Sequence, residues 1–310
     1  MPQAAAPPMR VLITGAHGYL GERLGRELSA RGLDVGALVR RPTPAPAFAS
    51  EVVVADITRP IAERPRGPFD VLVHLAAAND VASRDPETAL RVTTLGTRHV
   101  LDLCAAHGIP RVLYVSTTQV YGADAGVVDE STPPAPRNDY ALTHLFAEHY
   151  VRASRIRWAI ARPGNIFGTP SSRAQERWTL VPSCFCLEAH DHGRITLMSS
   201  GLQLRDFLGA GDVARLLAAM TQRFDELEGV TLNLTSGRSV TVRSVAERVA
   251  ARFALRTGRA CAIDVRSSAP AESGALSMPT ALRERLGFVL DRHEDMDDEI
   301  DKTFAVLEAS

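Results

Sequence analysis

The amino-acid sequence predicts an α/β protein built on a doubly wound, parallel β-sheet, with a smaller C-terminal α/β region. Short β-branched segments alternate with longer helical patterns through the first half of the 310 residues. Right-handed β–α–β crossovers require this order of elements. At 45% hydrophobic residues, the chain can bury a large core. The first strand also runs into three glycines at a spacing of three residues, which is typical of a phosphate-binding turn.

This glycine turn joins a predicted strand at 10–14 to a helix that we expect over 21–31. At such a junction Gly15 permits a tight turn and Gly18 lets the backbone approach a pyrophosphate. Gly21 lets the helix pack closely on the strand, while free N–H groups and the helix dipole face the anion. Glycines at this spacing also occur in ordinary turns, but the flanking strand and helix favour a dinucleotide site of the Rossmann type.

The remaining elements follow from hydrophobic periodicity and from proline and glycine breaks. Proline-rich connections at 42–49 and 60–68 separate the early elements. In the second half, a strand at 230–234 precedes a helix at 241–254. The other strands are predicted at 33–39, 51–55, 71–75 and 112–115, and the other helices at 86–107 and 139–154.

The predicted domains follow from this order. A dinucleotide-binding domain spans 9–170, and segment 206–236 returns to it. Segments 171–205 and 237–310 then form the substrate-binding region. Residues 1–8 lack the basic and apolar segments of a signal peptide, so we expect a disordered tail.

Composition limits the class of partner. A formal net charge of −1 indicates neither a nucleic-acid surface nor a membrane surface. No window approaches a membrane-spanning apolar run. Four scattered cysteines do not form a disulfide framework, which is typical of a reducing, cytoplasmic compartment. Cys184 and Cys186 precede His190 and His192, but their spacing matches no standard zinc pattern, and we predict no metal site.

Further short motifs follow the glycines in a definite order. In that order and spacing, they resemble the extended short-chain dehydrogenase/reductase family, the NAD(P)-dependent epimerase/dehydratase group, from about residue 10 to about residue 288. The matching motifs are Thr14-Gly15-x-x-Gly18-x-x-Gly21, Ala55-Asp56-Ile57, His74-Leu75-Ala76-Ala77, Gly96-Thr97, Ser116-Thr117-x-x-Val120-Tyr121-Gly122, Tyr140, Arg162-Pro163-Gly164-Asn165-Ile166-Phe167-Gly168 and Arg205-Asp206-Phe207.

The resemblance implies a cofactor crevice at the carboxyl ends of the strands. Asp56 would accept a hydrogen bond from the adenine amino group, although an aspartate there could also cap a loop. Ala76 and Ala77 would leave room for a flat ligand, or they would only satisfy helix packing. The cofactor-binding residues predicted in this way are Gly15, Gly18, Tyr19, Leu20, Gly21, Arg40, Asp56, Ile57, Leu75, Ala76, Ala77, Tyr140, His144, Pro163 and Asn165.

The choice of cofactor depends on the end of the second strand. NAD-binding proteins usually place an acidic residue there for the ribose 2′-hydroxyl, whereas an arginine matches a 2′-phosphate. Val39 and Arg40 occupy these positions. We therefore expect NADP, with NAD possible; Arg40 and Arg41 could instead only solvate the strand end.

The resemblance also implies the catalytic residues Thr117, Tyr140 and His144. Tyr140 would give a proton to a carbonyl oxygen that receives hydride, and Thr117 would donate a hydrogen bond to the same oxygen. His144 stands where the family has lysine, on the same helix face as Tyr140. Because histidine is largely neutral above neutrality, it favours reduction over reactions that begin by oxidising an alcohol.

Two further departures concern neighbouring positions. Dehydratases of the family carry an acidic pair where this chain has Thr118 and Gln119, so water elimination lacks its acid and base. Thr93 replaces an asparagine in the helix at 86–107, which puts the usual bend of that helix in question. A segment at 208–212, Leu-Gly-Ala-Gly-Asp, replaces a β-branched run and predicts a different bend there.

The sequence thus favours an NADP-dependent reductase of a keto group on a nucleotide-linked sugar. An epimerase of the same fold and a non-catalytic cofactor-binding protein are the alternatives, and a non-sugar ketone stays open as the substrate. The helix at 139–154 is apolar around much of its circumference, with Leu142, Leu145, Phe146, Tyr150 and Val151, which predicts a homodimer as in the family. The predicted substrate residues are Asn165, Arg205 and Arg266.

Overall fold

The structure is a computed structural model that describes residues 7–41, 44–173, 177–267, 274–282, 285, 287 and 293–309. Within them the chain forms two compact units. These units differ from the predicted domains at 123–133, 163–170, 206–213 and 233–236, which all belong to the second unit. The first unit comprises the described parts of Met1–Gly122, Pro134–Arg162 and Ala214–Leu232, and the second those of Ala123–Pro133, Pro163–Val213 and Asn233–Ser310.

The strands of the described residues form one large sheet and three small ones. They are β1 (Arg10–Thr14), β2 (Asp34–Val39), β3 (Glu51–Val54), β4 (Val71–His74), β5 (Arg111–Val115), β6 (Gly126–Val127), β7 (Arg157–Pro163), β8 (Asn165–Phe167), β9 (Arg194–Leu197), β10 (Leu204–Gly209), β11 (Thr231–Leu234), β12 (Ser239–Thr241), β13 (Ala262–Val265) and β14 (Leu276–Ser277). The large sheet has the order β11-β7-β5-β4-β1-β2-β3, and the small sheets are β12-β10-β8, β13-β9 and β14-β6.

The large sheet confirms the predicted doubly wound fold. Every recorded pairing from β3 across to β7 is parallel. Strand β1 lies between β2 and β4, so the direction of winding reverses beside β1. In open α/β sheets a ligand crevice forms at the carboxyl ends of the strands next to such a reversal.

The helices are α1 (Tyr19–Ala30), α2 (Pro86–Ala89), α3 (Gly96–His107), α4 (Asp139–Ala153), α5 (Ser183–His192), α6 (Ala210–Gln222), α7 (Val242–Thr257) and α8 (Met296–Glu308). The helix predicted at 86–107 is interrupted, because a π-helical segment, Leu90–Leu95, joins α2 to α3. Thr93 lies in this segment, and its Oγ1 accepts a hydrogen bond from the Ala78 amide at 3.0 Å. A departure from α-helical geometry is therefore present at the position where the sequence put the usual bend in question.

Each unit has its own hydrophobic core. In the first unit the central residues of β1 (11–13) and of β4 (71–73) are apolar and fully buried, as expected where helices cover both faces of a parallel sheet. In the second unit the core contains side chains of α5, α7, α8 and the small sheets. Within the described part of the chain, no helix combines the length and apolar character that crossing a bilayer demands.

Candidate active site

The glycine turn has the geometry that its sequence predicts. Gly15 has a φ of +69°, a conformation that L side chains rarely adopt. A Cβ atom on Gly21 would lie 2.1 Å from the Gly15 carbonyl oxygen, so no larger residue fits there. Helix α1 begins directly after Gly18, whose amide donates to the Gly15 carbonyl at 2.8 Å. The turn therefore presents backbone at the amino end of a helix, as phosphate binding requires.

A cavity of about 420 Å³ opens beside this turn at the carboxyl ends of β1, β2, β3 and β4. Eight of the predicted cofactor residues line it, whereas the buried Tyr19 and Gly21 do not, and neither do Leu20, Tyr140 and His144. Eight further lining residues were not assigned to the cofactor from the sequence, although most of them directly flank assigned positions. They are Ala16, His17, Leu38, Val39, Arg41, Ala55, Thr58 and Val92. The eight predicted residues that line the cavity are Gly15, Gly18, Arg40, Asp56, Ile57, Leu75, Ala76 and Ala77.

Asp56 both caps its loop and lines the cavity. Its Oδ1 accepts hydrogen bonds from the Thr58 amide at 2.9 Å and from the Thr58 hydroxyl at 2.8 Å. The hydrogen bond from the Thr58 amide and, more weakly, the positive charge of Arg40 lower the pKa of Asp56 below its ordinary value. The carboxylate is thus charged at neutral pH. Arg40 and Arg41 are exposed and line the same cavity.

Helix α4 positions the predicted catalytic pair. Its N-terminus is capped by Asn138, whose Oδ1 accepts from the Ala141 amide at 2.8 Å. Tyr140 and His144 lie one turn apart, with ring centroids separated by 4.7 Å in an edge-to-face arrangement. The structure therefore brings these two predicted residues together.

His144 is almost completely buried, with 3% of its surface exposed. Its Nδ1 lies 2.7 Å from the Tyr114 hydroxyl. No hydrogen-bond partner lies within reach of its buried Nε2 among the described residues. Burial lowers the pKa of His144 to about 4, more than the charge of Glu148 raises it. The imidazole is consequently neutral at physiological pH.

Thr117 follows β5 and is buried. Its Oγ1 accepts a hydrogen bond from the Gln119 amide at 3.2 Å, which starts a short 3₁₀ helix, Thr118–Tyr121. Because Thr117 acts only as an acceptor in that hydrogen bond, its own hydroxyl hydrogen can still be donated to another group. Thr117 therefore keeps the donor function that the predicted role requires.

A charged cluster that sequence reasoning did not predict lies one turn beyond His144. Glu148 is fully buried and receives two hydrogen bonds from Arg162, at 2.8 and 2.6 Å, and one from Arg152 at 2.8 Å. Burial alone would raise the pKa of Glu148, but the hydrogen bonds and charge of Arg162 lower it below its ordinary value. The spacing Tyr140, His144, Glu148 on one helix face was the signal that could have revealed the cluster.

The predicted substrate residues lie in the second unit. Asn165 belongs to β8, and its Nδ2 donates to the Asp206 carbonyl at 3.1 Å. Arg205 pairs with Asp124 at 3.2 Å and is partly exposed. Arg266 is exposed after β13. Pro163 is the last residue of β7. Their assignment to a ligand stays a prediction.

The glycines at 209 and 211 accommodate a distant glutamate. Cβ atoms on Gly209 and Gly211 would lie 2.4 and 2.2 Å from the carboxylate oxygens of Glu294. That carboxylate accepts a hydrogen bond from the Gly211 amide at 2.9 Å in the first turn of α6. The unusual 208–212 segment is therefore explained by what packs against it.

Comparison with known proteins agrees with this geometry. A dTDP-4-dehydro-6-deoxy-D-allose reductase from Streptomyces bikiniensis is 27% identical over 269 residues, covering 78% of this chain and 80% of the relative. A dTDP-glucose 4,6-dehydratase from Streptomyces antibioticus is 28% identical over 229 residues, covering 66% of each. A solved structure of the NAD dependent NDP-hexosamine 5,6-dehydratase TunA, involved in tunicamycin biosynthesis, superposes with a TM-score of 0.80 at 25% identity, covering 97% of this chain and 98% of that one.

A family profile extends this agreement across most of the chain. The profile of the NAD dependent epimerase/dehydratase family matches residues 11–234. That range contains the glycine turn, the cavity, Thr117 and the helix that carries Tyr140 and His144. The relatives, in contrast, include both a reductase and a dehydratase at nearly equal identity, so similarity alone does not decide the reaction. The chain belongs to the NAD dependent epimerase/dehydratase family.

Proposed function

We propose that this protein is an NADP-dependent reductase that acts on a keto group of a nucleotide-linked sugar or a related small molecule. The observation that carries the proposal is the neutral, buried imidazole of His144 beside Tyr140, at the position where the family has a lysine. The sugar class is supported by the names of two relatives, which act on dTDP-linked sugars.

The residues of the cavity fit a dinucleotide. Gly15 lines the cavity next to Ala76, where a Cβ atom would lie 3.0 Å from the Ala76 amide nitrogen, and the amino end of α1 favours an anion such as a pyrophosphate. Arg40 at the end of β2 supports NADP, because a guanidinium matches the geometry of a 2′-phosphate. When bound, the nicotinamide supplies the hydride.

The protein side of the reaction uses three residues of the first unit. Tyr140 gives its phenolic proton to the carbonyl oxygen, and Thr117 donates a hydrogen bond to the same oxygen. A lysine at 144 would favour the tyrosinate by up to about three pKa units, or about 4 kcal/mol at an effective dielectric near 20. The neutral His144 exerts no such effect, so Tyr140 starts protonated, as reduction requires.

The alternatives make different demands on the same residues. Epimerisation and dehydration in this family begin by oxidising an alcohol, which needs Tyr140 as a base. Thr118 and Gln119 also lack the carboxyl groups that water elimination uses. A non-catalytic cofactor-binding protein would bind NADPH without consuming it in the presence of any carbonyl substrate.

The central experiment compares variants at Tyr140 and His144 on a keto-sugar nucleotide with NADPH. Tyr140→Phe should lower kcat by two to four decades, as is typical for a positioned proton donor. His144→Ala should lose much less, because His144 transfers no proton. His144→Lys should raise kcat for alcohol oxidation more than kcat for reduction at the same pH. Full activity of Tyr140→Phe would show that another group donates the proton.

Cofactor choice is tested by titrating NADPH and NADH against Arg40→Ala. Loss of a charge-assisted hydrogen bond to the 2′-phosphate should weaken NADPH by roughly 1.5 to 3 kcal/mol and leave NADH nearly unchanged. Arg98→Ala, on an exposed part of α3 and paired with Asp102, is a matched control that should affect neither. Equal losses for both cofactors in Arg40→Ala would assign Arg40 a structural role instead.

We further propose that the protein forms a homodimer through α4. Leu142, Phe146 and Tyr150 of this helix are exposed, as are Leu90 and Leu95 of the π-helical segment that contacts it. Exposed apolar surface of this kind is typical of an interface. Of the five residues predicted for this contact, Val151 is buried in the core of its own unit and Leu145 is partly buried. The contact therefore depends on the other three.

A further inference from the structure

A continuous row of buried polar side chains leads from β1 to α4 inside the first unit. The Thr14 hydroxyl lies 2.6 Å from His74 Nδ1, and His74 Nε2 lies 3.0 Å from Thr97 Oγ1. The ring of Tyr114 is next to that of His74, with centroids 5.6 Å apart, and its hydroxyl reaches His144 Nδ1. All five residues are nearly or completely buried.

The positions of the protons on the first part of this row follow from counting donors and acceptors. Thr14 Oγ1 already accepts from the Leu75 and Ala76 amides, both at 3.1 Å, so its own hydrogen goes to His74 Nδ1. Thr97 gives its hydrogen to the Thr93 carbonyl at 2.6 Å. Thr97 Oγ1 must then accept from His74 Nε2, which carries the hydrogen of that ring. The contact at Nδ1 and the contact at Nε2 thus both place the ring hydrogen of His74 on Nε2.

The contact between Tyr114 and His144 has a preferred direction. A phenol is a far stronger acid than a neutral imidazole N–H, and an imidazole nitrogen is a stronger base than a phenol oxygen. Burial and the charge of Glu148 also raise the pKa of Tyr114 well above its ordinary value, more than the Thr97 hydroxyl lowers it. Tyr114 thus keeps its hydrogen and donates it to Nδ1, which leaves the ring hydrogen of His144 on Nε2.

We propose that Tyr114 is a positioning residue that holds His144 in its Nε2–H tautomer, so that α4 carries a neutral hydrogen-bond donor next to Tyr140. Its use in catalysis rests on the proposed reductase function. When Tyr140 has given up its proton, its oxygen is anionic, and the N–H dipole of a ring whose centroid lies 4.7 Å from that of Tyr140 stabilises this charge without having favoured it beforehand. The Nε2 hydrogen stays in place throughout.

The charged and titratable groups around His144 are compatible with a neutral donor. On α4 these are Tyr140 and Glu148, and the sheet adds His74 from β4 and Tyr114 from β5. Burial lowers the pKa of His74 to about 3, so that ring is neutral too. The carboxylate of Glu148 already has its guanidinium partners and makes no recorded hydrogen bond to His144.

The tautomer can be measured without any activity assay. In the protein labelled with ¹⁵N-histidine, NMR should show His144 with its hydrogen on Nε2, and the His144→Gln spectrum assigns the signal. His74 should show the same tautomer as an internal reference. Tyr114→Phe keeps the ring but removes the hydroxyl, so His144 should become a mixture of tautomers while His74 does not change. A hydrogen on Nδ1 of His144 in the wild type, with Tyr114 donating to Thr97 instead, would overturn the proposal even if the variant does not fold.

The kinetic measurement separates this role from the reaction itself. Tyr114→Phe should lower kcat for reduction in proportion to the fraction of His144 that leaves the Nε2–H tautomer, up to about fivefold, the size of one lost hydrogen bond, with little change in KM. His149→Gln, which replaces an exposed side chain on the same helix, should leave kcat unchanged. A shifted tautomer with unaltered kcat would overturn the positioning role, whereas an active Tyr140→Phe would overturn the proposed reaction and leave the tautomer assignment standing.

Discussion

The two faces of α4 depart from the usual distribution of polar and apolar side chains. The buried face carries His144 and Glu148, which are 3% and 0% exposed. On the other face Leu142, Phe146 and Tyr150 are 40%, 50% and 36% exposed. An ordinary surface helix buries its apolar stripe and exposes its charges.

Both the buried polar side chains and the exposed apolar side chains of α4 lower the stability of the isolated folded chain. Buried polar groups cost free energy unless they find partners. His144 finds one for its Nδ1 in Tyr114 on β5, and Glu148 finds one in Arg162 on β7. One pair is neutral and the other is charged. The exposed apolar stripe indicates a surface that another molecule covers. Each face can be tested separately.

The largest effect is expected at the charged end of the buried face. Arg162→Met should lower the free energy of unfolding by about 3 to 5 kcal/mol, because it leaves the Glu148 carboxylate buried with one partly exposed partner. Denaturant titration measures this loss. Arg152→Met removes the other guanidinium from the same carboxylate and should cost only about 1 kcal/mol or less. Equal losses in the two variants would contradict the distinction between them.

An intermediate effect is expected from the neutral His144 on the buried face of α4, which should make the stability of the protein depend on pH. The pKa of His144 is about 4 in the folded protein against 6.5 unfolded. The unfolded chain therefore binds the extra proton, and stability is complete above pH 6.5 and falls as the pH drops toward 4, by about 3 kcal/mol.

The measurement is the slope of unfolding free energy against pH between 5 and 6. His144→Gln should reduce that slope by about one proton, while His74, with its pKa of about 3, continues to contribute. This window lies above the range in which Glu148 loses stability, because the lowered pKa of a carboxyl group acts only below its unfolded value of 4.5. An unchanged slope in His144→Gln would mean that the imidazole is not buried as described.

The smallest effect is expected on the exposed face. Phe146→Asp should weaken the proposed homodimer by about 2 kcal/mol, roughly thirtyfold in Kd, since it places a charge in the middle of the apolar stripe. Sedimentation equilibrium measures this shift. Leu255→Asp, at an apolar residue of α7 that is even more exposed, is the matched control and should leave association unchanged. A wild-type protein that is monomeric at micromolar concentration would contradict the dimer.

The parts of the fold that depend on local pattern were predictable from the sequence. The predicted strand at 10–14 matches β1, and the next four strands are placed to within one residue at each end. The glycine turn was predictable because each glycine has a steric reason within a few residues of itself. Periodicity could not reveal the π-helical segment at Leu90–Leu95, since one extra residue in a turn leaves the apolar pattern nearly intact.

The chemistry of the candidate site was predictable only in part. The position of His144 beside Tyr140 follows from helical spacing, and the structure shows it. Its partner Tyr114 lies 30 residues earlier on a buried strand, where a tyrosine is indistinguishable by pattern from any other core residue. The pairing of Glu148 with Arg162 likewise depends on how a helix and a strand meet. Contacts of this kind are set by tertiary packing, to which a single sequence gives no direct access.

The contact between Glu294 and the glycines at 209 and 211 has a consequence for how this protein can evolve. A mutation of either glycine to alanine places a carbon atom inside the space of the Glu294 carboxylate, which must then move away, and an alanine at 209 would also meet the Glu294 Cβ atom at 2.7 Å. Replacing Glu294 first removes the acceptor of the Gly211 amide but opens both glycine positions to other residues. The cost of an alanine at 209 or 211 therefore depends on which residue stands at 294, so positions more than 80 residues apart in the sequence constrain one another in evolution.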